Sequence, residues 1–137
     1  FYKKDSILIL TKRHNYENTI LLNLKRHKIT FICLAGYMKI ISQKLIKSFK
    51  GDIINIHPSL LPNYKGLNTF SRVLKNKERK TGCTVHFVNE KLDSGSTILK
   101  KMLFINETDD EVNLKQRTQK LEYRAFPEAI IKIFRKY

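Results

Sequence analysis

The chain has 137 residues, 42% of them hydrophobic and 28% charged, with 27 Lys and Arg against 12 Asp and Glu for a formal net charge of +15. That length supports one domain with a real core, and the balance of apolar and charged residues argues against disorder. No apolar run approaches the roughly 20 residues of a membrane helix, and no basic–apolar–small pattern of a signal peptide stands at the start, so a cytoplasmic location without membrane contact is expected. The basic excess favours anionic partners. Lys and Arg are nevertheless spread along the whole chain, and no Arg/Gly-rich tail, zinc knuckle or aromatic RNA-recognition pattern accompanies them. Two readings of the charge therefore stay open, a Lys/Ile/Asn compositional bias and a functional basic surface, and a nucleic-acid partner is not favoured. Cys33 and Cys83 lie far apart in apolar stretches and read as buried thiols. His14, His27, His57 and His86 share no metal-ligand spacing with each other or with the cysteines, so no metal is expected.

In chain order, Ser6–Leu10 is a short apolar run between charged clusters and predicts a strand. From Asn15 to His27, Tyr16, Ile20 and Leu24 fall on one helical face. Thr30–Leu34 predicts a second strand, ended by Ala35-Gly36. Ser42 is a suitable N-cap for a helix reaching about Phe49, closed by Gly51. Asp52–His57 predicts a strand stopped by Pro58, and Ser59 to Gly66 an irregular loop. Thr69–Lys77 fits a short helix, Cys83–Val88 and Thr97–Phe104 fit strands, and Lys115–Tyr137 has helical period with Pro127 interrupting it. Strands and helices alternate through the first half, and the strand runs are continuously apolar, as when both faces of a parallel sheet are covered. The expected fold is a single α/β domain over residues 1–137, an open, mostly parallel, doubly wound (Rossmann-like) sheet with an antiparallel-leaning end.

In such sheets ligands sit outside the carboxyl ends of the strands. The strand Asp52–His57 ends in Asn55-Ile56-His57-Pro58, and the alternation of strand side chains points Asn55 and His57 the same way. The pair is either a polar cap for the following loop or a set of donors aimed at a reacting carbonyl. Leu92-Asp93-Ser94-Gly95 is by itself an ordinary turn. Folded back over the Asp52–His57 strand, it would let Asp93 orient His57 and stabilise its imidazolium. Asn, His and Asp would then form an acyl- or formyl-transfer apparatus without a nucleophilic side chain.

Asn55-Ile56-His57-Pro58-Ser59-Leu60-Leu61-Pro62, then Gly66, then Thr81-Gly82-Cys83-Thr84-Val85-His86-Phe87-Val88, then Leu92-Asp93-Ser94-Gly95, with Leu34-Ala35-Gly36-Tyr37-Met38-Lys39-Ile40-Ile41-Ser42 upstream, resemble the folate-dependent formyltransferase family over nearly the whole chain. The wording His-Pro-Ser-Leu-Leu-Pro and Val-His-Phe-Val is most similar to the branch that formylates glycinamide ribonucleotide in purine (IMP) biosynthesis. The resemblance implies a one-carbon transferase with 10-formyltetrahydrofolate as co-substrate and glycinamide ribonucleotide as acceptor. It implies catalytic roles for Asn55, His57 and Asp93. It implies folate contacts at Leu34, Met38, Lys39, Ile40, Ile41, Asn89, Glu90, Lys91 and Leu92, with Arg13 reaching the benzoyl-glutamate part. It implies acceptor contacts at Glu122 and Pro58, and a cis Leu61–Pro62 bond. His86 reads as a structural strand residue.

The chain departs from that family in places. All five glycines follow residue 35, so the family's glycine-rich phosphate-binding loop has no counterpart, and the chain reads as a fragment lacking the first β-loop-α unit. Lys39 stands where Arg is common, Asn68-Thr69-Phe70 where His-Thr-His is frequent, and Tyr123 where a His often follows the glutamate. Three rival readings remain: a formyltetrahydrofolate deformylase using the same centre, a basic nucleic-acid-binding module, and a non-catalytic remnant. Oligomeric state is not legible.

Overall fold

The computed structural model describes Ile9 and residues 15–135. The expected strand at Ser6–Leu10 (Ile9 aside) and the candidate Arg13 lie outside the described residues. The elements are α1 (Tyr16–Arg26), β1 (Phe31–Leu34), α2 (Gln43–Ser48), β2 (Asp52–His57), α3 (Thr69–Lys75), β3 (Lys80–Phe87), β4 (Thr97–Phe104) and α4 (Glu111–Phe134).

The four described strands form one open sheet in the order β1-β2-β3-β4. β1 and β2 are parallel, joined by the crossover that carries α2, whereas β2–β3 and β3–β4 are antiparallel. The sheet is therefore α/β and open as expected. It is mixed in direction, with the antiparallel part occupying more of the described strands than the sequence suggested.

Pairing register decides what each face carries. Ile54, Cys83 and Val85 pack with Ala125, Ala129 and Ile133 of α4. Strand alternation turns Ile53 to the opposite side, where it packs with Leu45 and Phe49 and with Ile20, Leu24, Ile32 and Leu34. Ser42 caps α2 by accepting from the Leu45 N–H at 3.1 Å, and its own N–H donates to the Glu17 carboxylate at 2.9 Å, which ties α1 to the start of α2.

Four expectations are corrected. α4 starts at Glu111, not Lys115, because Asp110 caps it by accepting from the Asn113 N–H at 2.7 Å, while Arg117 pairs with Asp109 and donates to the Phe104 carbonyl. Pro127 does not interrupt α4, which runs unbroken to Phe134. The acceptor that loses its donor there belongs to the exposed Tyr123, and Ala125 and Ala129 on either side stay in the core. β3 begins at Lys80, three residues before the apolar run, because Lys80 to Gly82 find partners in Phe104 to Met102. Cys83 is buried as expected, but Cys33, on the outer described strand, is exposed.

Candidate active site

Beyond Ile53, the face of β2 and β3 turned away from α4 is polar where a core would be apolar. Asn55 pairs with His86 and His57 with Thr84, so four polar side chains share one patch of the sheet. His57, Thr84 and His86 are buried, and Asn55 is half-buried. Two loops cover them. The first, residues 58–66, contains the cis Leu61–Pro62 bond. It is fastened by Thr84, whose hydroxyl donates to the Ser59 carbonyl at 2.7 Å and accepts from the Leu61 N–H at 3.0 Å. The second, residues 88–96, leaves β3 and returns across the same face. A Cβ on Gly95 would stand 1.6 Å from the Phe87 carbonyl oxygen, so only glycine allows the returning backbone this close. Where it rejoins the sheet, Val85 opposes Leu99 but His86 opposes Thr97, so Ile98 forms a bulge beside His86.

Asp93 sits in the second loop with φ +46°, in the left-handed region that Asp tolerates better than most residues. Its Oδ2 accepts from the Gly66 N–H at 2.8 Å and lies 3.4 Å from His57 Nδ1, and its Oδ1 lies 3.7 Å from His86 Nε2. The loop does fold back over β2, and Asp93 does meet His57. The other nitrogen of His57, Nε2, lies 2.9 Å from the Tyr64 carbonyl oxygen. Both neighbours of that ring are acceptors, so a ring carrying protons on both nitrogens satisfies them together. Lys65 donates to Ser94, joining the two loops directly.

His86 completes the group. Its Nδ1 lies 2.9 Å from the Phe87 carbonyl oxygen and its Nε2 3.4 Å from Asn55 Nδ2. Burial lowers its pKa from the ordinary imidazole value, with the nearby His57 and Lys65 acting in the same direction and the Phe87 carbonyl and Asp93 opposing. His86 is a strand residue as expected, but its contact with Asn55 spans 31 residues and could not be read from the chain. The Tyr64 carbonyl and the Gly66 amide were equally hidden, being backbone groups.

A cleft adjoins the cluster. Its walls include Leu34, Lys39, Ile40, Ile41, Asn89, Glu90, Lys91 and Leu92 from the expected set, together with Asn55, His86 and Asp93. Tyr37, Ile46 and Val88 line it as well and were not singled out from the sequence. Met38 is 74% exposed and is not part of the lining. Lys47 of α2 pairs with Glu90 at 3.2 Å across one side of this region. Pro58 is half-buried directly after His57. Glu122 lies elsewhere: its carboxylate is close enough to Cys83 to act on the thiol, which places it on the α4 side of the sheet. Burial raises the Glu122 pKa, and burial followed by the Glu122 charge pushes the Cys83 thiol up to about 11. Among the described residues no group of three His, Cys, Asp or Glu has a geometry that could hold a metal ion, and no helix is long and apolar enough to cross a membrane.

The chain is similar in sequence and fold to known proteins. The chain is 42% identical over 118 residues to the trifunctional purine biosynthetic protein adenosine-3 of Drosophila melanogaster, covering 86% of the chain and 9% of that protein. It is 40% identical over 128 residues to the phosphoribosylglycinamide formyltransferase of Haemophilus influenzae, covering 89% of the chain and 60% of that enzyme. Its fold matches the crystal structure of phosphoribosylglycinamide formyltransferase from Streptococcus pneumoniae with a TM-score of 0.85 at 30% identity, over 90% of the chain and 71% of that structure. It matches the Bacillus halodurans structure of the same name with a TM-score of 0.82 at 36% identity, over 86% and 61% respectively. The chain thus spans 9% and 60% of the length of these two curated relatives, less than two thirds of either. Residues 1–130 match the formyl transferase family, and the chain belongs to that family.

Proposed function

We propose that the chain carries the formyl-transfer centre of a phosphoribosylglycinamide formyltransferase, moving a formyl group from 10-formyltetrahydrofolate to the amine of glycinamide ribonucleotide in purine biosynthesis. The observation that carries this reading is the buried contact of His57 with Asp93 on the strand face where Asn55 lies, beside a cleft. The names of its relatives support the same activity. The cleft suits a flat heteroaromatic: Leu34, Ile40, Ile41, Val88 and Leu92 offer apolar surface, and the backbone of residues 89–93 offers polar groups. The folate supplies the formyl carbon and a nitrogen leaving group.

Each residue then has a definable task. As the acceptor amine bonds to the formyl carbon, the carbonyl electron pair moves to oxygen, and Asn55 donates an amide N–H to that oxygen. His57 acts through its charge, because its two nitrogens already face Asp93 and the Tyr64 carbonyl. Asp93 accepts the proton the amine releases, directly or through water, and a proton reaches the folate nitrogen as its bond to carbon breaks. Lys39 and Arg13 are the cationic candidates for the folate carboxylates, with Met38 flanking. Pro58 and Glu122 are the candidates on the acceptor side. The surroundings proposed are cytoplasmic and the partners small molecules.

The test is incubation with 10-formyltetrahydrofolate, with and without glycinamide ribonucleotide, followed by product analysis. Formylation of the acceptor, dependent on its presence, is the expected result. Formate release that ignores the acceptor would replace the transferase reading with hydrolysis, and no turnover with either would remove the enzymatic reading from this chain.

A further inference from the structure

His86 has no role in the reaction as derived above, yet it is 2% exposed and stands between Asn55, Asp93 and a backbone carbonyl. Buried imidazoles must be satisfied at both nitrogens. The Phe87 carbonyl, 2.9 Å from Nδ1, can only accept, so Nδ1 carries hydrogen. In a neutral ring Nε2 is then a lone pair. An acceptor at that point can be met by the Asn55 amide nitrogen, 3.4 Å away, but not by its oxygen. The ring therefore reads the orientation of a symmetric-looking amide. One N–H of Asn55 is taken by His86, and the other remains for the cleft that Asn55 lines.

We propose that His86 is a positioning residue for formyl transfer: held in its Nδ1–H tautomer by the Phe87 carbonyl, it fixes the Asn55 amide with its nitrogen as the donor at the reaction centre. The inference rests on the reading of Asn55 given above and deepens it. The opposite arrangement is disfavoured in two places at once. With Nε2 protonated and Nδ1 bare, a lone pair would face the Phe87 carbonyl, and the Asn55 amide would have to turn its oxygen toward the ring. With both nitrogens protonated, Nε2–H would point toward Asp93 Oδ1 at 3.7 Å and confront the Asn55 N–H. Asp93 is the group that favours that charged ring, while burial and the positive charges of His57 and Lys65 disfavour it. The bulge at Ile98, next to His86, and the close approach of Gly95 to the Phe87 carbonyl hold the anchoring end of the relay in place.

The direct test is the tautomer. In the ¹⁵N-labelled chain at neutral pH, long-range ¹H–¹⁵N correlation should show His86 Nδ1 as the protonated nitrogen and Nε2 as the bare one. A protonated Nε2, alone or with Nδ1, overturns the proposal without requiring any variant to fold. The functional test is a double-mutant cycle on formyl transfer. His86→Leu should lower kcat by up to about 10²-fold, the scale of a misplaced catalytic group, with the KM for 10-formyltetrahydrofolate unchanged. In an Asn55→Ala background the same substitution should cost nothing further, because the group it positions is gone. Equal cost in both backgrounds overturns the positioning role and leaves the reading of the site intact. If Asn55→Ala leaves kcat unaltered, the reading of Asn55 fails, and the positioning role fails with it.

Discussion

The two faces of the β2–β3 ribbon differ in what holds them. Toward α4, Ile54, Cys83 and Val85 meet Ala125, Ala129 and Ile133 in an apolar cluster. Away from α4, Asn55, His57, Thr84 and His86 occupy the alternate positions of the same two strands and are joined to one another or to the covering loops by directional contacts. The first face draws on burial of apolar area, which is insensitive to small rotations. The second depends on each donor meeting its acceptor, and an unmet buried group there costs more than a met one returns. One ribbon thus carries a stabilising side and a chemical side, divided by side-chain parity.

Substitutions on the two faces should separate accordingly. The largest effect expected is on the chemical side: Asp93→Asn should reduce formyl-transfer turnover by about 10²–10⁴-fold, the range for general acid–base catalysis. Its melting temperature should hardly move, since an amide oxygen can still accept from the Gly66 N–H. A melting loss as large as that of a core deletion would mean that the polar face is a second core. On the other side, Ile54→Ala should cost about 2–5 kcal/mol in denaturant unfolding, because Ile54 is fully buried. The kcat per folded molecule should be preserved; a matching fall in kcat would break the division between faces.

A third substitution tests whether the polar face contributes stability at all. Thr84→Val keeps the volume but strands the Leu61 N–H and the Ser59 carbonyl. Chemical denaturation should register a loss of about 1–3 kcal/mol. No loss would show that water replaces the hydroxyl.

The smallest effect concerns Glu122, the charged intruder on the apolar side. Burial raises its folded-state pKa, so the folded chain holds that proton more tightly than the unfolded chain does. As pH climbs from the unfolded carboxylate value of about 4.3 through the raised folded value, stability should fall, and the whole penalty is present above that window. Glu122→Gln should therefore melt above the parent at about pH 7 and together with it below about pH 4. Thermal melts across this range check the sign, and an equal offset at both ends would assign the difference to something other than ionisation.

Much of this organisation was legible beforehand, for identifiable reasons. β2 and β4 have the expected bounds because each is a compact β-rich run with a hard stop. Ser42 announced α2 through its side chain. The first turn of α4 was missed because Glu111 and Asn113 dilute the apolar period, although the cap at Asp110 was in plain view. The start of β3 was missed because Lys80-Thr81-Gly82 looks like a loop and is a strand only by virtue of its partner. Asn55 and His57 could be paired by alternation within one strand. Asp93 could be added only on the condition that its loop returned. His86 could not be placed, because no local pattern states which residue of β3 will stand opposite Asn55. Register between strands, unlike alternation along one, is a property of the assembled sheet.

That register has a consequence for how function is acquired. Shifting β3 by one residue against β2 would carry Val85 to the reaction side and send His86 into the apolar layer, since neighbouring residues face oppositely. A mispaired chain would bury an imidazole without partners and expose a valine, so it would be both unstable and inert. The sheet can be assembled wrongly only at the expense of its oil layer. The same alternation that sorts grease from water therefore proofreads the chemistry, and folding to the native pairing and arming the centre become a single event.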